Sequence, residues 1–152
     1  MTPTSSRTRT GTGPVSTPVT NPHLLPATAH SYLQRSATSL HDAITARDVP
    51  TRYACAHVAA LCAAAALLAA RARPAPRARR QKNAWVLLAE VAPELGEWAT
   101  FFAAGAAKRA AAEAGSTRAV TEREADDLVR DADRFLAVVE QALGLVPHAS
   151  VA

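Results

Sequence analysis

Arg52 and His57, in the stretch Arg52-Tyr53-Ala54-Cys55-Ala56-His57, are of types that could do chemistry together. Cleaving RNA through its own 2′-hydroxyl needs a group that moves protons near neutral pH, and histidine is tuned for that. It also needs a cation beside the charge developing on phosphorus, and arginine supplies one in a fork geometry. Such a reaction requires no cofactor and no metal. None is expected here, because the chain shows no zinc-ligand spacing, no Gly-rich phosphate loop and no serine-hydrolase motif. The spacing alone is weak evidence in an arginine-rich chain, and Arg35 with His41 is a second instance. A separation of five on a helix also turns the second side chain by about 140°. The plainer reading makes Arg52 part of a solvated first turn and His57 a hydrogen-bonded bundle residue.

A second candidate is the run Arg71, Arg73, Arg77, Arg79, Arg80 and Lys82, which contains no acid. It could track a phosphate backbone, although no aromatics are interleaved for base stacking. A net charge of +4 permits a polyanionic partner without demanding one. Asp126, Asp127, Asp131 and Asp133 form a third cluster, whose place near a helix start is electrostatically sufficient in itself. A straight helix spreads them around its circumference, so a contact with the basic run is expected rather than a metal. Trp85, Trp98, Phe101 and Phe102 fall at helical spacing and read as core or interface. Cys55 and Cys62, seven residues apart on one helix, would be separated by about 10.5 Å. That is too far for a disulfide, and they read as small buried hydrophobes.

The elements that must position these residues are helical. Alanine dominates the apolar content, with few aromatics and almost no β-branched runs. Residues 1–26, rich in Thr, Ser and Pro, lack an apolar pattern and are expected to be a disordered tail. They also lack the apolar stretch of a signal peptide. A first helix is expected over 27–47, with Leu33, Ala37, Leu40 and Ile44 as its apolar stripe. Asp48 then caps a second helix, with Pro50 in its first turn, running to Arg73. Its segment 54–70 approaches the length of a membrane span, but its alanines and His57 favour a buried bundle helix. A short third helix follows over 83–91, and a fourth from Pro93 to Gly115. The fifth begins at the capping box Thr121-Glu122-Arg123-Glu124 and presents Leu128, Val129, Ala132, Phe135, Leu136 and Val139 on one face, with Asp133 on the outer faces. The expectation is an all-α, antiparallel up-and-down bundle of four long helices and one short helix over 27–145. Residues 146–152 are expected to form a flexible C-terminal tail.

The stretches 52–74 (RYACAHVAALCAAAALLAARARP), 85–115 (WVLLAEVAPELGEWATFFAAGAAKRAAAEAG) and 119–136 (AVTEREADDLVRDADRFL) resemble an actinobacterial family of HEPN-domain proteins. The resemblance implies an antiparallel helical bundle, often dimeric, of a kind found in RNA cleavage, toxin–antitoxin pairs and nucleotide handling. RNA-cleaving members carry an Arg–His motif with four to six residues between, usually toward the later helices, and two chains bring their motifs together. Here the later helices hold no histidine, and His148 lies in the C-terminal tail. The expectation is a non-catalytic cytoplasmic binding module, homodimeric and off the membrane, with RNA or a protein as partner. The alternatives are a metal-independent ribonuclease using Arg52 and His57, and a purely structural protein-interaction domain.

Overall fold

The computed structural model describes residues 24–71 and 83–152. The described residues are all-helical: α1 (Ala27–Thr45), α2 (Val49–Arg71), α3 (Ala84–Val91), α4 (Gly96–Ala104), α5 (Ala106–Glu113) and α6 (Glu122–Ala142). The tail expected over 1–26 falls mostly outside the described residues.

The ends of these helices follow their local chemistry. Asp48 caps α2 by accepting from the Thr51 amide at 3.0 Å and its hydroxyl at 2.6 Å. Asn83 caps α3 by accepting from the Val86 amide at 2.9 Å. The capping box of α6 is complete: the Thr121 hydroxyl accepts from the Glu124 amide at 3.1 Å, and Glu124 accepts from the Thr121 amide at 2.8 Å. Gly115 and Gly144 take positive φ, 83° and 76°, where each chain reversal after a helix needs a residue without Cβ.

The central helix is α2, which packs against α1, α3, α5 and α6. It is long and apolar enough to span a membrane by length and composition, with mean hydropathy 1.9, yet its residues are largely buried inside the fold. Ala56, Ala59, Ala60, Ala63, Ala64 and Leu67 are buried around its circumference, as expected for a helix surrounded by others.

Small residues set the α1–α2 contact and alter the expected face of α1. The buried residues of α1 are Ala29, Ser36, Leu40 and Ala43. The Ser36 hydroxyl donates to the Ala59 carbonyl of α2 at 2.7 Å, which fixes the two backbones at close range. The expected stripe is therefore split. Leu40 enters the core, whereas Leu33 is only half-buried and Ala37 and Ile44 are exposed.

The expected fourth long helix is instead three pieces. Pro93–Leu95 form a 3-10 turn, α4 ends at Ala104, and α5 starts at Ala106. Gly105 is the break. A Cβ there would lie 3.1 Å from the Tyr53 hydroxyl and 3.5 Å from His57 Nε2, so the absent side chain lets α2 approach the junction.

The bulky core gathers around α6. Phe135 is fully buried and meets Phe102, Trp98 and Trp85 with ring centroids 5.1, 5.4 and 6.1 Å away. Trp85 stacks on Phe102 at 5.0 Å. Aromatic pairs of this geometry contribute about 0.5–1.5 kcal/mol beyond their burial. The four aromatics thus join α3, α4 and α6 and meet α2 at His57, although Phe101 remains 48% exposed.

Candidate functional site

The first turn of α2 places Arg52 against α6. Its guanidinium donates to Asp126 at 2.7 Å and to the Ala46 carbonyl at 3.3 Å, and lies 3.8 Å from Glu122. Arg52 thereby ties the α1–α2 connection to the start of α6.

His57 lies more than one turn further along and points elsewhere. It is 1% exposed and sits edge-on to Trp85 and Phe102, at 6.1 and 6.0 Å. Its Nε2 is 3.1 Å from the Phe102 carbonyl oxygen, which can only accept, so the Nε2–H tautomer donates. The same carbonyl accepts from the Gly105 amide at 3.1 Å, so one interruption of the helix supports both contacts. Nδ1 is buried without a hydrogen-bond partner among the described residues. Burial is the chief cause that holds the His57 pKa below its ordinary value. The Phe102 hydrogen bond opposes this shift and Arg109 adds to it. The site thus disfavours the imidazolium. The fold does not bring Arg52 and His57 together: one faces acids on α6, the other an aromatic box.

Of the basic run, only Arg71 lies in the described region. It pairs with Glu94 and donates to the Ala142 carbonyl at 3.4 Å, linking the end of α2 to the 3-10 turn and the end of α6. Glu94 is held below its ordinary pKa chiefly by that hydrogen bond. Arg73, Arg77, Arg79, Arg80 and Lys82 lie outside the described residues.

The acidic cluster is dispersed. Asp126 faces Arg52, Asp127 pairs with Arg130, and Asp131 lies 3.9 Å from Arg134. Asp133, expected on an outer face, is buried. Among the described residues no group of three or more His, Cys, Asp and Glu side chains could hold a metal. Both cysteines are free, and burial pushes both thiols up.

One polar cluster was missed in the sequence. His148 Nδ1 is 2.6 Å from Glu140 and Nε2 is 2.7 Å from Asp133. The Ser150 hydroxyl donates to Asp133 at 2.8 Å, and the His148 amide donates to Glu140 at 2.9 Å. Residues 146–152, expected to be a flexible tail, are hydrogen-bonded to α6, because two acids on that helix offer acceptors that the segment satisfies. Burial pulls the His148 pKa down, but the hydrogen bonds to Asp133 and Glu140 outweigh it, and the net shift is upward. Asp133 is raised by burial and then carried below its ordinary value by His148, Ser150 and Val151. The available signal was the seven-residue spacing of Asp133 and Glu140, which is two turns on one face.

A groove of about 570 Å³ runs between α1, α6 and this C-terminal segment.

No curated protein and no solved structure gives a match to this chain. A family model does, that of the SAV_6107-like HEPN domains, over residues 43–140, which take in the end of α1, all of α2 to α5 and nearly all of α6. With well over half of its length matched, the chain belongs to the SAV_6107-like HEPN family.

Proposed function

We propose that this HEPN domain is a non-catalytic binding module with RNA as its partner. One observation carries the non-catalytic part: His57 is buried and hydrogen-bonded to a carbonyl, while Arg52 is spent on Asp126. A general base must come within about 3 Å of the proton it removes, and the surface offers no such approach to His57. The support for RNA is the basic run that leaves α2 at Arg71 and continues through Arg73, Arg77, Arg79, Arg80 and Lys82. Cations at such density release counterions on binding phosphates, so affinity falls steeply with salt.

The test is a mobility-shift titration of labelled single-stranded RNA in EDTA. The expected result is a salt-sensitive shift without cleavage, lost when Arg77, Arg79 and Arg80 become Ala. Salt-independent binding, or none, removes the RNA reading. Cleavage by the wild type that disappears in His57→Ala would establish the competing reading, a metal-independent ribonuclease.

A second reading, a homodimeric or partner-binding surface on α3 and α4, is favoured by Phe101 and Val86, which stand in solvent beside the aromatic core. Light scattering of wild type and Phe101→Glu tests it. A dimer that persists in the variant excludes that face.

A further inference from the structure

A second pocket, of about 290 Å³, opens where α2, α4 and α5 meet the acidic face of α6. Lys108, Glu124, Asp127 and Asp131 give it charge, and Tyr53, Phe101 and Leu128 give it carbon surface. Two of its three carboxylates are already engaged. Glu124 pairs with Lys108 through one oxygen and accepts from the Thr121 amide through the other. Asp127 pairs with Arg130. Asp131 accepts no hydrogen bond among the described residues. Its ion-pair partner, Arg134, stands 3.9 Å away with its side chain 70% exposed, and does not line the pocket. The Asp131 side chain is itself only 28% exposed. Burial raises its pKa, and the opposing pull of Arg134 does not cancel the rise. One carboxylate of the pocket is therefore left without a donor.

A second group in the same pocket also lacks a partner. Tyr53 is 6% exposed, yet its hydroxyl forms no hydrogen bond with a described residue. Buried polar groups are rarely left in that state, and the pocket that Tyr53 lines is where a partner can reach it. Gly105 keeps the place open, since a Cβ there would lie 3.1 Å from the hydroxyl. Burial raises the Tyr53 pKa, with Lys108 lowering it and Glu124 raising it. The phenol is therefore neutral, and its oxygen can accept.

These features define a ligand. It must donate hydrogen bonds, to Asp131 and to the phenol oxygen. It must be positive, because an opposite charge compensates best for a carboxylate withdrawn from water. It must also place carbon or a flat face against Leu128 and the exposed ring of Phe101. A guanidinium on an alkyl chain meets all three demands. Its donors form a planar fork that matches a carboxylate, and its face stacks on an aromatic ring. A metal ion would find one disengaged carboxylate, which is too few ligands.

We propose that this pocket binds a guanidinium group carried on an alkyl chain, with Asp131 as its acceptor and the Tyr53 hydroxyl and Phe101 ring beside it. Two sources carry such a group: a free molecule, and an arginine of this chain's own run, Arg73, Arg77, Arg79 and Arg80.

The test titrates the full chain with n-butylguanidinium, and with its neutral isostere N-butylurea, by heteronuclear NMR at about 0.15 M salt, where distant charges are screened. The wild type should show saturable shifts centred on Phe101, Leu128 and Asp131. Butylurea should bind about tenfold more weakly or worse, the loss expected for a charged hydrogen bond. Asp131→Asn should weaken butylguanidinium by a similar factor, and Tyr53→Phe by about threefold. The thermal midpoint of Tyr53→Phe should not fall, since that hydroxyl has no partner in the fold. Replacing Arg73, Arg77, Arg79 and Arg80 together with Ala distinguishes the sources. Unchanged affinity in that variant assigns the site to a free guanidinium. Binding about tenfold tighter, or seen in that variant alone, assigns it to the chain's own run. Butylurea binding as tight as butylguanidinium overturns the charge argument. Affinity indifferent to Asp131→Asn, or shifts centred elsewhere, overturns the site. Absence of binding in both the wild type and the arginine variant overturns the proposal.

Discussion

His57 and His148 make opposite contributions to the pH dependence of stability, and the two can be separated. The His57 pKa is held down in the folded protein, chiefly by burial. As pH falls below the ordinary histidine value of about 6.5, the unfolded chain takes up a proton that the folded chain refuses, so stability drops. His148 is held up by its two carboxylates against the pull of burial. Its contribution is complete below about 6.5 and is lost as pH rises through its folded pKa. The profile should therefore be a dome peaking near pH 6.5, and neither flank should exceed about 1.4 kcal/mol per pH unit, the slope for one proton. The assay is urea unfolding from pH 5.5 to 8.5, followed by fluorescence of Trp85 and Trp98, which sit in the core cluster. His57→Gln keeps an amide donor for the Phe102 carbonyl and should flatten the acid flank alone. His148→Gln should flatten the alkaline flank alone. Glu124, held at about 2 chiefly by Lys108, titrates well below this range. Differences from wild type also cancel groups that are common to all variants. A flat wild-type profile, or an acid flank that survives in His57→Gln, would refute the burial argument.

Other outcomes follow from single contacts. Phe135→Ala should cost about 3–5 kcal/mol, measured by the same denaturation, because it empties a fully buried site shared by three other rings. A double-mutant cycle of Arg52→Ala and Asp126→Ala should give a coupling of about 0.5–1 kcal/mol, modest because Asp126 is partly exposed. Coupling above about 3 kcal/mol would mean that the pair is far better shielded than its exposure indicates. Thr121→Ala should lose about 1 kcal/mol by removing the cap of α6. Gly105→Leu should lose about 2 kcal/mol or more by driving a side chain toward Tyr53 and His57, seen as a lower thermal midpoint.

What could be read from the sequence was local. The capping box at Thr121, the cap at Asp48 and the apolar face through Phe135 and Val139 depend on residues a few positions apart, and they recur in the structure. The rest depends on distant partners. The run 103–107 looks continuous until Tyr53 and His57 approach Gly105. The stripe of α1 looks unitary until Ser36 meets Ala59. Arg52 and His57 are neighbours in sequence, yet their surroundings are set by α6 and α4 respectively, and the contacts of His57 match the plainer reading of it as a hydrogen-bonded bundle residue. The attachment of His148 to α6 escaped notice because His148 finds Asp133 across fifteen residues, through a chain reversal at Gly144.

The alanine contact between α1 and α2 also bears on how the chain assembles. Ala29, Ala43, Ala59 and Ala63 have no side-chain rotamers to lose. Closing that hairpin across a three-residue connection, 46–48, therefore costs little side-chain or loop-closure entropy beyond the ordering of the backbone. Each contact also yields little, since a methyl group buries little area. The larger loop-closure and rotamer costs fall on α6, which must return from far along the chain with Phe135, Leu136 and Val139 in defined rotamers. The helical hairpin is accordingly the piece expected to form first, with the fold committed when α6 arrives, and φ-values higher in α1 and α2 than at Phe135 and Val139 are the expected outcome.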